Sequence, residues 1–426
     1  MTFAITLIFL IGYVAIIGEH PFRINKAAPA LLAGMLIWSI LAIISEDVHI
    51  TNESFKEHAF DIGNIVFFLL GAMVVVELMD SHDSFGLITS AIKTRNASTL
   101  LIIISVVSFF LSAVLDNMTT AIVMVAVLKK LIHDNRTLFM KMVGIVVIAS
   151  NAGGAWSPIG DVTTIMLWIG GQVTSEGVIS ELFLPSFVCL MVSVAFMIPS
   201  VKGQTIGNGD HKEVKDHGTN LSLFEKVIVL SLGLLTLLGV PVFKSATHLP
   251  PFVGIFLGLG IMWIVTEFIH SRHPNYKERT HLVVTSVLRN IDVSSTLFFL
   301  GILFSVAGLQ EAGILDRAAK FLTATLKEEF IINGAIGILS AIVDNVPLVA
   351  AVQGMYSLDV YHVDSTFWNA LAYAAGTGGS MLIIGSAAGV AVMGIAKIDF
   401  MWYLKRITLP ASAGYVAGFF VYYLVS

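Results

Sequence analysis

Charge is what this sequence has least of. Only 12% of its 426 residues are Asp, Glu, Lys or Arg, against roughly 25% in soluble domains. So little charge excludes a water-exposed globule of this size. The net charge is −5 and no basic stripe runs outside short loops, which excludes a nucleic-acid partner. The single cysteine, Cys189, lies in an apolar run, so neither a disulfide framework nor a thiolate metal site is available. No Walker loop, Gly-rich dinucleotide turn or zinc motif occurs. Nothing therefore points to an enzyme, to ATP-driven pumping or to a cofactor.

What is abundant is hydrophobic length. Hydrophobic residues make up 56% of the chain and mean hydropathy is +0.87. Apolar windows fall at 2–18, 27–45, 61–79, 98–131, 142–170, 182–200, 223–242, 251–270, 293–311, 331–357, 366–396 and 407–425. Each is long enough to cross a hydrocarbon layer about 30 Å thick. The runs are continuous rather than alternating, which excludes an outer-membrane barrel. No positive segment precedes the first window, so 2–18 reads as a span, not a cleaved signal. The expected class is an all-α polytopic membrane protein.

Two windows, 98–131 and 331–357, carry an Asp-Asn pair near the middle: Asp116-Asn117 and Asp344-Asn345. Each reads either as a broken span or as a re-entrant hairpin. If both are hairpins, about ten windows cross and 19 of the 24 Lys and Arg fall on one face. That face is cytoplasmic by the positive-inside rule, with both termini on the other side. Counting either window as a crossing scatters these charges, so the hairpins are preferred. Ser112-Ala-Val-Leu-Asp-Asn117 resembles Ser340-Ala-Ile-Val-Asp-Asn345. Gly153-Gly154 with Gly160 matches Gly378-Gly379 with Gly385 at a constant offset of 225. The expected architecture is an inverted repeat of about ten crossing helices, two re-entrant hairpins with Asp-Asn tips and two broken helices. Polar residues 201–222 link the halves. Such repeats place substrate at mid-membrane, where broken helices meet.

An ionised carboxylate in hydrocarbon costs at least about 2.5–3.5 kcal/mol, so it faces protein or water. The deep acids are Asp116, Asp161, Asp344 and, nearer an interface, Glu77. Asp161 follows Asn151-Ala-Gly-Gly-Ala-Trp-Ser-Pro-Ile-Gly160, which cannot form regular helix and leaves carbonyls free. With the hydroxyls of Thr163 and Thr164 these groups form an oxygen cage suited to a small hard cation. The second half offers Thr377, Ser380 and Ser386 but no carboxylate. Protons compete with a cation for buried carboxylates, so a small cation at Asp116, Asp161 and Asp344 in exchange for H⁺ is the expectation. Two alternatives stand beside it: buried Asp-Asn pairs that only brace hairpins, and carboxylates that hold a coupling ion for another substrate.

The segments 112–120, 150–164 and 340–348 resemble the ion transporter superfamily, and within it the NhaD-type sodium/proton antiporters; the likeness covers nearly the whole chain. Relatives carrying dicarboxylates or citrate have Ser-Asn-Thr at the hairpin tips, where Asp stands here; arsenite-type exporters have similar tips. The resemblance implies Na⁺ or Li⁺ export against proton import, in a homodimer, in a bacterial inner membrane, by elevator-like movement. Scaffold would be 1–97 and 223–330; the transport domain would be 98–200 and 331–426, with 201–222 a cytoplasmic linker. Carried over, the functional residues are Asp116, Asn117, Asn151, Asp161, Thr163, Thr164, Ser340, Asp344 and Asn345. Secondary candidates are Thr377, Ser380, Ser386 and Glu77.

Overall fold

The computed structural model describes residues 2–19, 23–45, 48–87, 92, 94–132, 135–206, 221–272, 279 and 282–426. Most of the expected linker (207–220) lies outside the described residues, as do Lys93 and Lys277 of the cytoplasmic charge set. The first half contains α1 (Thr2–Ile17), α2 (Ala27–Ile44), α3 (Val48–Ser81), α4 (Ala97–Ser112), α5 (Asn117–Leu131), α6 (Arg136–Ala155), α7 (Val162–Ile169) and α8 (Ser175–Val201). The second contains α9 (Leu223–Thr247), α10 (Pro251–Ser271), α11 (Val284–Val287), α12 (Val293–Glu311) and α13 (Ile314–Leu326). It closes with α14 (Glu329–Ser340), α15 (Asn345–Met355), α16 (Thr366–Gly378), α17 (Ala387–Ala396), α18 (Phe400–Arg406) and α19 (Thr408–Val425).

Among the described residues, eight helices are long and apolar enough to cross a membrane: α2, α3, α6, α8, α9, α10, α12 and α19. The pair α17 and α18, bent by 115°, makes a ninth if counted as one broken span. The protein is an all-α, multi-pass membrane protein. The expected ten crossings are not ten continuous helices. Helix α1 has only 16 residues, about 24 Å of rise. Window 366–396 divides into α16 and α17, of 13 and 10 residues.

Three elements depart from the sequence reading. Residues 151–155, expected to break the helix with the rest of 151–160, instead complete α6, and the break is confined to 156–161. Helix α3 begins at Val48, not near 61, and runs for 34 residues. Residues 48–60 read as loop because they are polar, yet no Gly or Pro interrupts them, and Lys56 pairs with Glu53 one turn away. About 51 Å of helix outruns the hydrocarbon, so its polar start projects beyond it. Helix α13 was also read as loop; it buries Leu315 and Ala319 and exposes Asp316, Arg317 and Lys320.

Packing partners form two sets that meet where α12 packs on α15 and α3 on α7. Helix α2 lies along α12, α9 along α10, and α3 against α10. Separately, α4 packs on α6, α14 on α16, α8 on α19 and α5 on α17. In the second set the backbones nearly touch. A Cβ on Gly153 would stand 2.1 Å from the Phe109 carbonyl oxygen of α4, and one on Gly378 would stand 2.2 Å from that of Gly337 in α14. Only a residue without a side chain permits that approach. The two halves thus make the same close contact at matching positions. Gly378→Ala should lower the unfolding temperature in detergent, overpacking costing about 1–3 kcal/mol. Gly394→Ala, which meets nothing within 4 Å, should be neutral or stabilising; equal effects would show that the contact is not constraining.

Candidate functional site

Four helices start in the middle of the second packing set, and the first residue of each carries the site. Asp116 caps α5, its Oδ1 accepting the Thr119 N–H at 2.8 Å. Asp161 caps α7 through the Thr163 N–H at 3.2 Å. Asp344 caps α15 through the Val346 N–H at 3.4 Å, and Ser386 caps α17 through the Gly389 N–H at 3.2 Å. Short acceptors are favoured there because a helix N-terminus has unmet donors and partial positive charge. A short polar acceptor answers each break, a carboxylate at three of them and the Ser386 hydroxyl at the fourth.

Side chains then join the breaks. Asn117 Nδ2 donates to Asn151 Oδ1 at 3.0 Å, and Asn151 Nδ2 donates to Ser386 Oγ at 2.9 Å. Asn345 Nδ2 donates to Asp161 Oδ2 at 3.4 Å. Each hairpin asparagine therefore leads to the cap of a broken helix, but only one cap is a carboxylate. Asp161 is 1% exposed, and Asp116 and Asp344 lie within electrostatic reach of it. Thr163 and Thr164 are fully buried. The Thr164 hydroxyl, like that of Thr120 on α5, has no hydrogen-bond partner among the described residues. Such orphans normally cost about 1–3 kcal/mol, and here they are oxygen available to a guest.

A cavity of about 390 Å³ reaches this cluster between α3, α5 and the start of α12. Its lining includes Asp116, Asn117, Glu77, Asp80, Glu19 and Asp292, with Lys26 the basic residue on it. Acids crowded on a cleft with apolar walls raise the local cation concentration.

Comparison with known proteins places the chain among membrane transporters. A family model described as citrate transporter matches residues 13–368. "Sodium/proton antiporter 1" of Arabidopsis thaliana is 46% identical over 99% of this chain and 72% of its own length. "Na(+)/H(+) antiporter NhaD" of Alkalimonas amylolytica is 30% identical over 97% of this chain and 89% of its own. The chain belongs to the NhaD-type sodium/proton antiporter family. The fold is similar to that in the crystal structure of the Alcanivorax borkumensis YdaH transporter, at a TM-score of 0.62 and 9% identity, covering 94% of this chain and 98% of that one. Relatives this similar come from a plant as well as from bacteria, so what stands of the expected location is a multi-pass membrane protein.

Seen as a member of that family, the chain distributes its predicted residues unevenly. Asn117, Asn151, Asp161, Asn345 and Ser386 are joined by hydrogen bonds. Asp116 lines the cavity, where its Oδ2 accepts from the Thr119 hydroxyl. Asp344 Oδ2 faces Lys26 at 3.3 Å. Among the described residues, no group of three or more acidic, histidine or cysteine side chains converges for one ion. Ser340 donates to the Ala375 carbonyl at 2.8 Å, as Ser112 does to that of Ser150 at 2.6 Å. Thr377 and Ser380 donate to carbonyls of Tyr373 and Thr377, each at 2.6 Å. Glu77 shares the cavity with Asp116.

Sequence reasoning missed two lysines. Lys26 and Lys244 stand at the edges of apolar windows, where the sequence assigns them no site role. Lys244 Nζ donates to the Trp168 carbonyl at 2.6 Å and lies 4.3 Å from that ring's centroid, joining α9 to the end of α7. No pattern within either segment signals such a partner. The Asn151–Ser386 link should show as coupling. In a double-mutant cycle of Asn151→Ala and Ser386→Ala, thermal unfolding should give about 0.5–1.5 kcal/mol of interaction, and additive losses would remove the link.

Proposed function

We propose that this protein exports Na⁺, and Li⁺ in its place, in exchange for protons that compete for the same carboxylate oxygens. The observation that carries this reading is Asp161: a buried carboxylate at a helix start that accepts from an asparagine of the other half, on a helix whose Thr164 hydroxyl is buried without a partner among the described residues. Carboxylate, carbonyl and hydroxyl oxygens suit a small hard cation. The cavity supplies a water path to Asp116, and the charge of its lining disfavours an anionic substrate such as citrate, which would want paired cations.

Alternating access by an elevator-like step fits the two packing sets. Helices α1–α3, α9, α10 and α12 would form the fixed scaffold, while α4–α8 and α14–α19 would carry the site. The matched glycine contacts support an inverted repeat, and the shortness of α14 and α15, at 12 and 11 residues, supports a re-entrant hairpin: neither reaches about 30 Å alone. A homodimer with both termini outside and the 201–222 linker in the cytoplasm completes the proposal. Its setting is any membrane that holds a proton gradient.

In everted vesicles with an imposed pH gradient, Na⁺ or Li⁺ alone should dissipate the gradient. Asp161→Asn should cut this response at least tenfold while the protein still inserts, whereas uptake of labelled citrate without cation-linked proton movement would sink the proposal. Competition also sets a sign with pH. Raising pH removes the competing proton, so the Na⁺ level for half-maximal response should fall, by up to about tenfold per unit, and then level off. A half-maximal level indifferent to pH would mean that Na⁺ and H⁺ do not share the site. Met118 lines the cavity. A Met118→Cys, Cys189→Ser protein should therefore react with an impermeant thiol reagent from the cytoplasmic side; reaction only from the other side would reverse the orientation.

A further inference from the structure

Lys26 stands one residue before α2, with its side chain 20% exposed. Its ammonium is 3.3 Å from Asp344 Oδ2, a residue 318 positions away at the tip between α14 and α15. Among the ion pairs between described residues, this one joins the α2–α12 packing set to α15. The pairing leaves Asp344 Oδ1 free to cap α15, so Oδ2 is the oxygen open to a cation. The same ammonium lies 4.2 Å from the centroid of the Phe298 ring on α12. An aromatic face holds a lysine by cation–π attraction, so the ring already supports the ammonium and would keep doing so if the carboxylate were taken by another cation.

A lysine ammonium and Na⁺ carry the same charge and seek the same oxygens. We propose that Lys26 is an internal competitor for the transported cation at Asp344. It occupies Oδ2 while the site is empty and gives that oxygen up when Na⁺ arrives, the Phe298 ring still holding its ammonium. It is a positioning residue that weakens apparent cation affinity and ties the hairpin to α2 until a cation replaces it. This rests on the antiport reading. Its sign follows from competition: apparent affinity is the intrinsic affinity reduced by the fraction of Asp344 left free.

The test is Na⁺-dependent thermal stabilisation of purified protein, read beside Na⁺-driven proton flux in proteoliposomes. Lys26→Gln should lower the half-saturating Na⁺ concentration at least threefold in both measurements. Lys26→Arg, which can grip the carboxylate with a planar fork, should raise it at least twofold. A structural defect would not move the two variants in opposite directions. If the wild type responds to Na⁺ and either variant leaves half-saturation unchanged or moves it the other way, the competitor role is overturned. If the wild type itself shows no Na⁺ response, it is the antiport reading that fails. Should Lys26→Gln not insert, the Lys26→Arg result decides alone.

Discussion

A helix that stops inside a membrane leaves backbone donors and acceptors that lipid cannot satisfy. This chain breaks four helical windows at 113–116, 156–161, 341–344 and 379–386, and the architecture follows from having to answer those breaks. It answers them with one another. Caps at Asp116, Asp161, Asp344 and Ser386 meet the free N–H groups, Ser112 and Ser340 tie the ends of α4 and α14 to α6 and α16, and bare glycines let the backbones close. The features that look functional in the sequence are first the conditions for a broken helix to exist at that depth.

Function then rests on what capping leaves over. A capping carboxylate uses one oxygen and offers the other, and the three aspartates spend that second oxygen differently. Asp161 turns it toward Asn345, Asp344 toward Lys26, and Asp116 toward Thr119 beside the cavity. The matching position of the second half has Ser386, whose hydroxyl is committed to Asn151 and Gly389. Equal backbone contacts in the two halves thus frame unequal chemistry, with the buried negative charge on one side only. A cation drawn to that charge has no comparable partner opposite it.

The cavity and the two lysines add a direction to this frame. Acidic residues line the approach to Asp116, where α3 ends and α12 begins. Lys244 closes the other end of α7 by holding the Trp168 carbonyl. One end of the site is therefore accessible while the other is held by an ammonium. The two helix sets meet there through the Lys26–Asp344 ion pair and the Lys244–Trp168 contact.

The sequence by itself determined the membrane class, because a chain with 12% charge and repeated 20-residue apolar runs has no soluble solution. It also located breaks at Asp116 and Asp344, and one over 151–160 that the structure narrows to 156–161, since Asp, Gly and Pro disrupt helix through local chemistry that needs no partner. Family membership was legible in the same segments. Only the tertiary structure decided that α3 is extended by its polar turns, that Asn345 serves Asp161 and not its neighbour Asp344, and that Lys26 faces Asp344. Those pairings cross 184 and 318 residues, and hydrophobic periodicity records which face of a helix is buried, not which charge waits opposite it.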